Sequence, residues 1–231
     1  MLLRFPSAPG NGFLRERLDS GSARAARAGC LRRDSRDGAT VERGRDCRSA
    51  RQGHRGAGAG VSAIAAAPVP ARRLTLVPLA GEHADEMAVV LADPELYTFT
   101  GGAPPTRQEL RARYERWIAG SPDPAVSWCN WVIQLRSPRC LAGTVQATIS
   151  TADDPVAEVA WVVGKPWQGQ GIATEAARAL IAWLRQQSVK TVIAHIHPDH
   201  HASAAVAAAV GLIPTGQQQD GEMRWRLTLT P

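Results

Sequence analysis

The stretch from Trp161 to Ala176, WVVGKPWQGQGIATEA, constrains this chain more than any other. An apolar run of strand character enters a glycine-bearing turn, and helix-forming residues follow at once. A chain that turns this way offers successive backbone N–H groups to an anion, and the helix N-terminus adds partial positive charge. Gly169 and Gly171 carry no Cβ, so a ligand can approach the main chain closely. Two common phosphate loops do not fit. A Walker loop has GxxxxGK[ST], and no Lys follows Gly171. A dinucleotide-binding turn ends on a small residue where this chain has Thr174.

What does fit is Gln168-x-x-Gly171-x-Ala173. It resembles the acetyl-CoA loop of the GNAT N-acetyltransferases, (Arg/Gln)-x-x-Gly-x-(Gly/Ala). A second stretch, His197 to Leu212, HPDHHASAAVAAAVGL, is similar to a later segment of that family. There a strand ends, an Asn-x-Ala-Ser turn follows, and a short helix closes on Gly-Phe or Gly-Leu. Ala202-Ser203 and Gly211-Leu212 stand in that register, with His200 in place of the Asn. The resemblance covers about residues 73–230. Its closest flavour is the branch with ribosomal-protein alanine acetyltransferases and several antibiotic acetyltransferases. It implies an α/β fold of GNAT type, a mixed, splayed β-sheet flanked by helices.

Composition divides the chain. Residues 1–60 hold thirteen Arg and six acidic residues, a net +7, whereas the whole chain is +6. The basic character therefore belongs to the N-terminal part. That part is rich in Arg, Gly, Ala and Ser without a sustained apolar period, too little apolar surface to offset the entropy of ordering. We expect residues 1–71 to be a disordered extension and linker, either translated as such or the product of a misplaced start, and residues 72–231 to be the catalytic domain. A nucleic-acid-binding or ribosome-binding arm is the competing reading of the tail. Arg without Lys, and with Phe5 and Phe13 the sole aromatics of residues 1–71, is a poor surface for it, so nucleic acid is not an expected partner. No signal-like apolar segment and no run near the roughly 20 apolar residues of a membrane span occurs, so no membrane is expected. Cys30, Cys47, Cys129 and Cys140 form no CxxC pair, which suits reduced thiols and a cytoplasmic protein.

Periodicity orders the body. A strand is expected over 73–78, a helix over 82–92, and a helix opening on Thr106 with Glu109 as its capping-box partner. Its stripe is Leu110, Tyr114, Trp117 and Ile118. Strands follow over 128–135, 141–150 and 156–163, then a helix over 169–187, a strand over 189–197, a short helix over 202–210 and a strand over 224–230. That order matches the family's.

The resemblance also assigns residues. The fourth and fifth strands should splay, with pantetheine between them against the main chain of Trp161, Val162 and Val163. The pyrophosphate should rest on the amides of Gln168, Gly169, Gln170, Gly171, Ile172 and Ala173, with Thr174 adding a hydroxyl. His200 stands at a further cofactor contact. The co-substrate is acetyl-CoA, with no metal. The acceptor is a small-molecule or peptide primary amine, and Tyr97 and Phe99 could wall its pocket. A homodimer would match many relatives. A lysine-type amine costs roughly 4–5 kcal/mol to neutralise near pH 7, an α-amine only about 1–1.5 kcal/mol, so the demand for a general base depends on the acceptor. Glu158 is the leading candidate base, or else a salt-bridged strand carboxylate; Glu222 and Asp154 are weaker candidates. Ser203 is the candidate proton donor to the departing thiolate, or else a residue packing the first turn of its helix. His195, His197, His200 and His201 lack any known zinc signature, so structural or acceptor-facing histidines are expected. Beside the transferase stands a second reading, a non-catalytic acyl-CoA-binding or regulatory module of the same fold.

Overall fold

A computed structural model describes residues 63–151 and 154–229. The chain opens with β1 (Val69–Pro70) and β2 (Leu74–Pro78), then α1 (Ala84–Val90) and α2 (Arg107–Ile118). Three long strands follow, β3 (Val126–Leu135), β4 (Leu141–Ser150) and β5 (Val156–Val163). Helix α3 (Ile172–Gln186), β6 (Thr191–Ile196), α4 (His201–Ala209), β7 (Ile213–Gln219) and β8 (Glu222–Thr228) complete it. The strands form one sheet in the order β1-β2-β3-β4-β5-β6-β8-β7. Only a few residues separate β3 from β4 and β4 from β5, and these strands pair antiparallel; β5 reaches β6 through α3, and that pair is parallel.

Alternation along the strands builds a core on each face of the sheet. On one face Leu76, Trp131, Ile133, Val145, Val159 and Trp161 pack with Ala176, Leu180, Trp183 and Leu184 of α3. The Trp131 and Trp183 rings meet edge to face at 4.9 Å. On the other face Met87 and Val90 of α1 and Leu110, Tyr114 and Trp117 of α2 cover Val132 and Leu141. Helix α2 begins as its sequence implies, with Thr106 and Glu109 exchanging reciprocal capping bonds. Ile118, placed in its apolar stripe by periodicity, is instead 52% exposed.

Two expectations need correction. Residues 213–219 contain Pro214 and Gly216 and no apolar alternation, yet they form β7, exposed throughout. An edge strand needs no buried face and tolerates proline, and its pairing partner β8 supplies what its own sequence does not. The signal was the Asp220-Gly221 dipeptide, both residues at positive φ, which is the two-residue hairpin turn joining β7 to β8. The second correction concerns the linker. Its last residues, 63–71, belong to the folded body. Ile64 N–H donates to Ser127 Oγ at 2.9 Å, Trp131 Nε1 donates to the Ala67 carbonyl at 2.8 Å, and Val69 and Pro70 pair with β2. Ile64, Ala66, Val69 and Ala71 pack on the core. The expectation for residues 1–62 lies outside the described residues. Among the described residues, no helix is long and apolar enough to cross a membrane.

Removing residues 1–71 strips the acceptor from the fully buried Trp131 indole and uncovers core, at a cost of about 2–4 kcal/mol. A chain starting at residue 72 should therefore melt roughly 4–16 °C below one starting at residue 63. Equal melting temperatures would show that the segment adds nothing to the fold.

Candidate active site

The site begins where β5 and β6 part. Their register runs Val156↔Thr191, Ala157↔Val192 and Glu158↔Ile193, then stops, although both strands continue. Gly164 N–H donates to the Ala142 carbonyl on β4. Since main-chain groups alternate sides along a strand, Val162 also turns its N–H and C=O towards β4, while Trp161 and Val163 turn theirs to the gap. Sequence reasoning expected main-chain contacts from all three. Val162 is nonetheless among the residues that line the cleft. The Val163 carbonyl is already taken by Gln168 Nε2 at 2.9 Å. The free edge groups are thus the Trp161 amide and carbonyl and the Val163 amide. Gly143 is required opposite, because a Cβ there would lie 2.1 Å from the Val162 carbonyl oxygen.

A cleft of about 590 Å³ opens at this parting. Its walls include Trp161, Val162 and Val163, then Gln168, Gly169, Gly171, Ile172, Ala173 and Thr174, and across from them His200 and Ser203. Phe99 and its neighbours Glu95, Leu96 and Thr98 complete the rim. Gln170 does not line the cleft; its amide donates to the Pro166 carbonyl. Tyr97 does not line it either, its hydroxyl donating to the Leu91 carbonyl at 3.0 Å.

Gly171 caps α3 at φ 75°, a left-handed conformation that favours glycine. The first hydrogen bond back into the helix is Glu175 N–H to Gly171 O, so the Ile172, Ala173 and Thr174 amides have no intrahelical acceptor. They form an anion cradle at the end of a 15-residue helix. A clamp that sequence reasoning missed holds the cradle. Arg73, just before β2, donates from its backbone and from Nε to Glu175 at 2.6 Å each, and from Nη1 to the Gln170 carbonyl. Burial alone would raise the Glu175 carboxyl, but the Arg73 bonds outweigh it and hold it below its ordinary value. Lys165 and Glu95 form a second tie, from the turn after β5 to the segment after α1.

Ser203 is buried in the first turn of α4, with Oγ 3.1 Å from His200 Nε2. The His200 ring stacks on Phe99 at 4.5 Å, and Phe99 also meets His197 at 5.3 Å. Burial, reinforced by His197 and His201, pushes the His200 imidazole below its ordinary value of 6.5. The neutral ring can accept the Ser203 proton. His195 turns elsewhere, placing Nδ1 3.1 Å from Glu158 Oε1. Among the described residues no three His, Cys, Asp or Glu converge as a metal group would need.

The donor set suits an elongated ligand carrying an anionic end. The Trp161 indole N–H is buried without a partner, its ring packed in the core with α3. The free edge of β5 suits an extended amide chain, and the cradle suits a pyrophosphate. A mixed sheet parted beside such a cradle is the arrangement that the sequence resemblance implies for an acyl-CoA-dependent transferase. The model of the acetyltransferase (GNAT) domain matches residues 73–213, and the chain belongs to that family. Among solved structures it is similar to the ribosomal-protein-S5-alanine acetyltransferase of Vibrio fischeri, with 16% identity and a TM-score of 0.61 over 70% of this chain and 96% of that one. A GNAT-family acetyltransferase from Bacillus anthracis gives 16% identity and a TM-score of 0.60, over 70% and 98%. The microcin C7 self-immunity acetyltransferase MccE, solved with acetyl-CoA and AMP, gives 18% and 0.57, over 68% and 93%. At these identities the likeness is one of fold. No curated protein sequence matches the chain.

Gly171→Val forces a β-branched residue to positive φ and sets its Cβ against Arg73. Acetyl-CoA affinity should fall about tenfold or more by calorimetry; unchanged affinity would place the pyrophosphate elsewhere. For His200, the unfolded chain takes the proton first. Its contribution to stability is therefore present above pH 6.5 and lost as pH falls through the lowered value. His200→Gln should flatten the decline of Tm on acidification below that point, and an unaltered slope would overturn the assignment.

Proposed function

We propose that the protein transfers an acetyl group from acetyl-CoA to a primary amine by direct attack in a ternary complex. The observation that carries this reading is the parting of β5 from β6 beside the N-terminus of α3, which leaves the Trp161 main chain free and amides gathered for a pyrophosphate. The pantetheine arm would lie along β5 against the Trp161 main chain, and the pyrophosphate on residues 169–174. Gln168 supports the strand by holding the Val163 carbonyl. His200 meets the ligand from the α4 side, where the family has Asn.

In the reaction a C–N bond forms as the amine attacks the thioester carbonyl, and the C–S bond breaks with its electron pair going to sulfur. The amine loses one proton and the thiolate gains one. The first is assigned to Glu158, bonded to His195 at the root of the parting and outside the residues that line the cleft, so a water would relay it. The second comes from Ser203, a residue of the cleft wall beside His200, and water then returns a proton to the Ser203 oxygen. Peptide α-amines, polyamines and aminocyclitol-type amines all remain acceptable substrates. The Phe99 segment, rather than Tyr97, supplies the wall on the acceptor side.

The test is amine-dependent thiol release from acetyl-CoA by the full chain, across peptide N-termini, polyamines, amino acids and aminoglycosides. Turnover on one class supports the transferase and names its acceptor. Acetyl-CoA binding without turnover on any class would favour the non-catalytic module. Ser203→Ala should lower kcat about 10–100-fold while acetyl-CoA affinity moves less than threefold. Equal rates would reduce Ser203 to a packing residue.

A further inference from the structure

We infer that the groove beside the anion cradle is a second anion site, in which Arg72 and Arg178 grip the 3′-phosphate of coenzyme A. The inference rests on coenzyme A as the ligand of the cleft and deepens that part of the transferase reading. The groove, of about 530 Å³, lies between the segment that joins β1 to β2 and the first two turns of α3. Arg72 and Arg73 stand on one wall, and Gly171, Thr174, Glu175 and Arg178 on the other. The last four recur at the spacing of one helix face. Gly171 and Thr174 also line the cleft, so the groove continues from the cradle around the start of α3.

Charge gives the groove its chemistry. The residues after 60 carry a formal −1, the whole chain's +6 less the +7 of residues 1–60. Yet the groove gathers three arginines and a single carboxylate. That carboxylate, Glu175, is already bonded to the backbone N–H and Nε of Arg73. Arg72 is exposed and has no hydrogen-bond or ion-pair partner among the described residues. Arg178 is exposed too. It spends Nη2 on the Ala209 carbonyl at 3.1 Å, which ties its stem across to α4 and leaves further N–H donors. Among the described residues, Lys165 is the sole Lys or Arg lining the cleft, and it is paired with Glu95. Two guanidinium groups that no local acid neutralises suit a phosphate monoester, which carries about −1.5 to −2 at pH 7. Coenzyme A bears such a group on the ribose next to its pyrophosphate. With the pyrophosphate on the Ile172, Ala173 and Thr174 amides, a ribose that leaves the cradle past Gly171 and Thr174 brings its 3′-phosphate into the groove with Arg72 and Arg178.

Dephospho-coenzyme A, which lacks only the 3′-phosphate, is the probe. By calorimetry at low salt, the wild-type full chain should bind coenzyme A about tenfold more tightly than dephospho-coenzyme A, each exposed arginine supplying about threefold. Arg72→Gln and Arg178→Gln should each narrow that preference to about threefold, and the double variant should abolish it. Affinity for dephospho-coenzyme A should stay within about twofold throughout, which a variant that disturbed α3 or the cradle would not achieve. Raising the salt to about 0.5 M should shrink the wild-type preference. Equal affinity of the wild type for the two ligands would overturn the inference. So would an equal loss for both ligands in the variants. A preference that survives in the double variant would overturn it too, since the phosphate would then be held elsewhere, the arginines of residues 1–60 included. None of these readouts uses an amine. A chain that shows the expected preference but acetylates nothing overturns the transferase and leaves this site standing, and a chain that binds neither ligand overturns both.

Discussion

Everything functional in this protein depends on two neighbouring strands that stop bonding to each other. A sheet normally satisfies every main-chain donor and acceptor, and an interior gap in the ladder leaves groups that must find other partners. Here β5 and β6 hold three residue pairs and then part. The Val163 carbonyl is satisfied within the chain by Gln168. The Trp161 main chain is left open to the gap. Binding can thus complete the sheet, with an extended ligand in the position of a missing strand.

A parted sheet needs bracing, and the braces come from distant parts of the chain. Arg73 reaches from the start of β2 to Glu175 and Gln170, and so ties the antiparallel half of the sheet to the anion cradle. Lys165 and Glu95 join the turn after β5 to the segment following α1. Phe99 stacks against His200 at the entrance to α4. These ties hold the turn before α3, the segment after α1 and the start of α4 against other parts of the chain. This is the preorganisation that group transfer requires, since misplacement by about 1 Å can cost 10²-fold in rate.

Local signals were the legible ones. The strand–turn–helix at 161–176, the Thr106 capping box and the long strands at 141–150 and 156–163 are each written in residues close in sequence, and each forms as read. Elements defined by a partner were harder. The β7 strand has no apolar alternation because both its faces are exposed, and residues 63–71 read as linker because their role is to cap core supplied by β3. The metal question raised by four histidines between 195 and 201 was also a question of direction: His195 turns to β5, and His200 turns to Phe99 and Ser203.

The sequence by itself determined the architecture and the strand–turn–helix at 161–176, because helix starts, capping and strand alternation depend on neighbours within a few residues. It placed Glu158 and Ser203 on their elements for the same reason. Only the tertiary structure decided what those residues touch. Glu158 and His195 lie 37 positions apart and meet through a parallel register set by the length and packing of α3. Arg73 and Glu175 lie 102 apart and meet because β2 and α3 pack in the same core. Such pairs share no local period, so the chain records each partner without recording the pairing; folding alone brings them together.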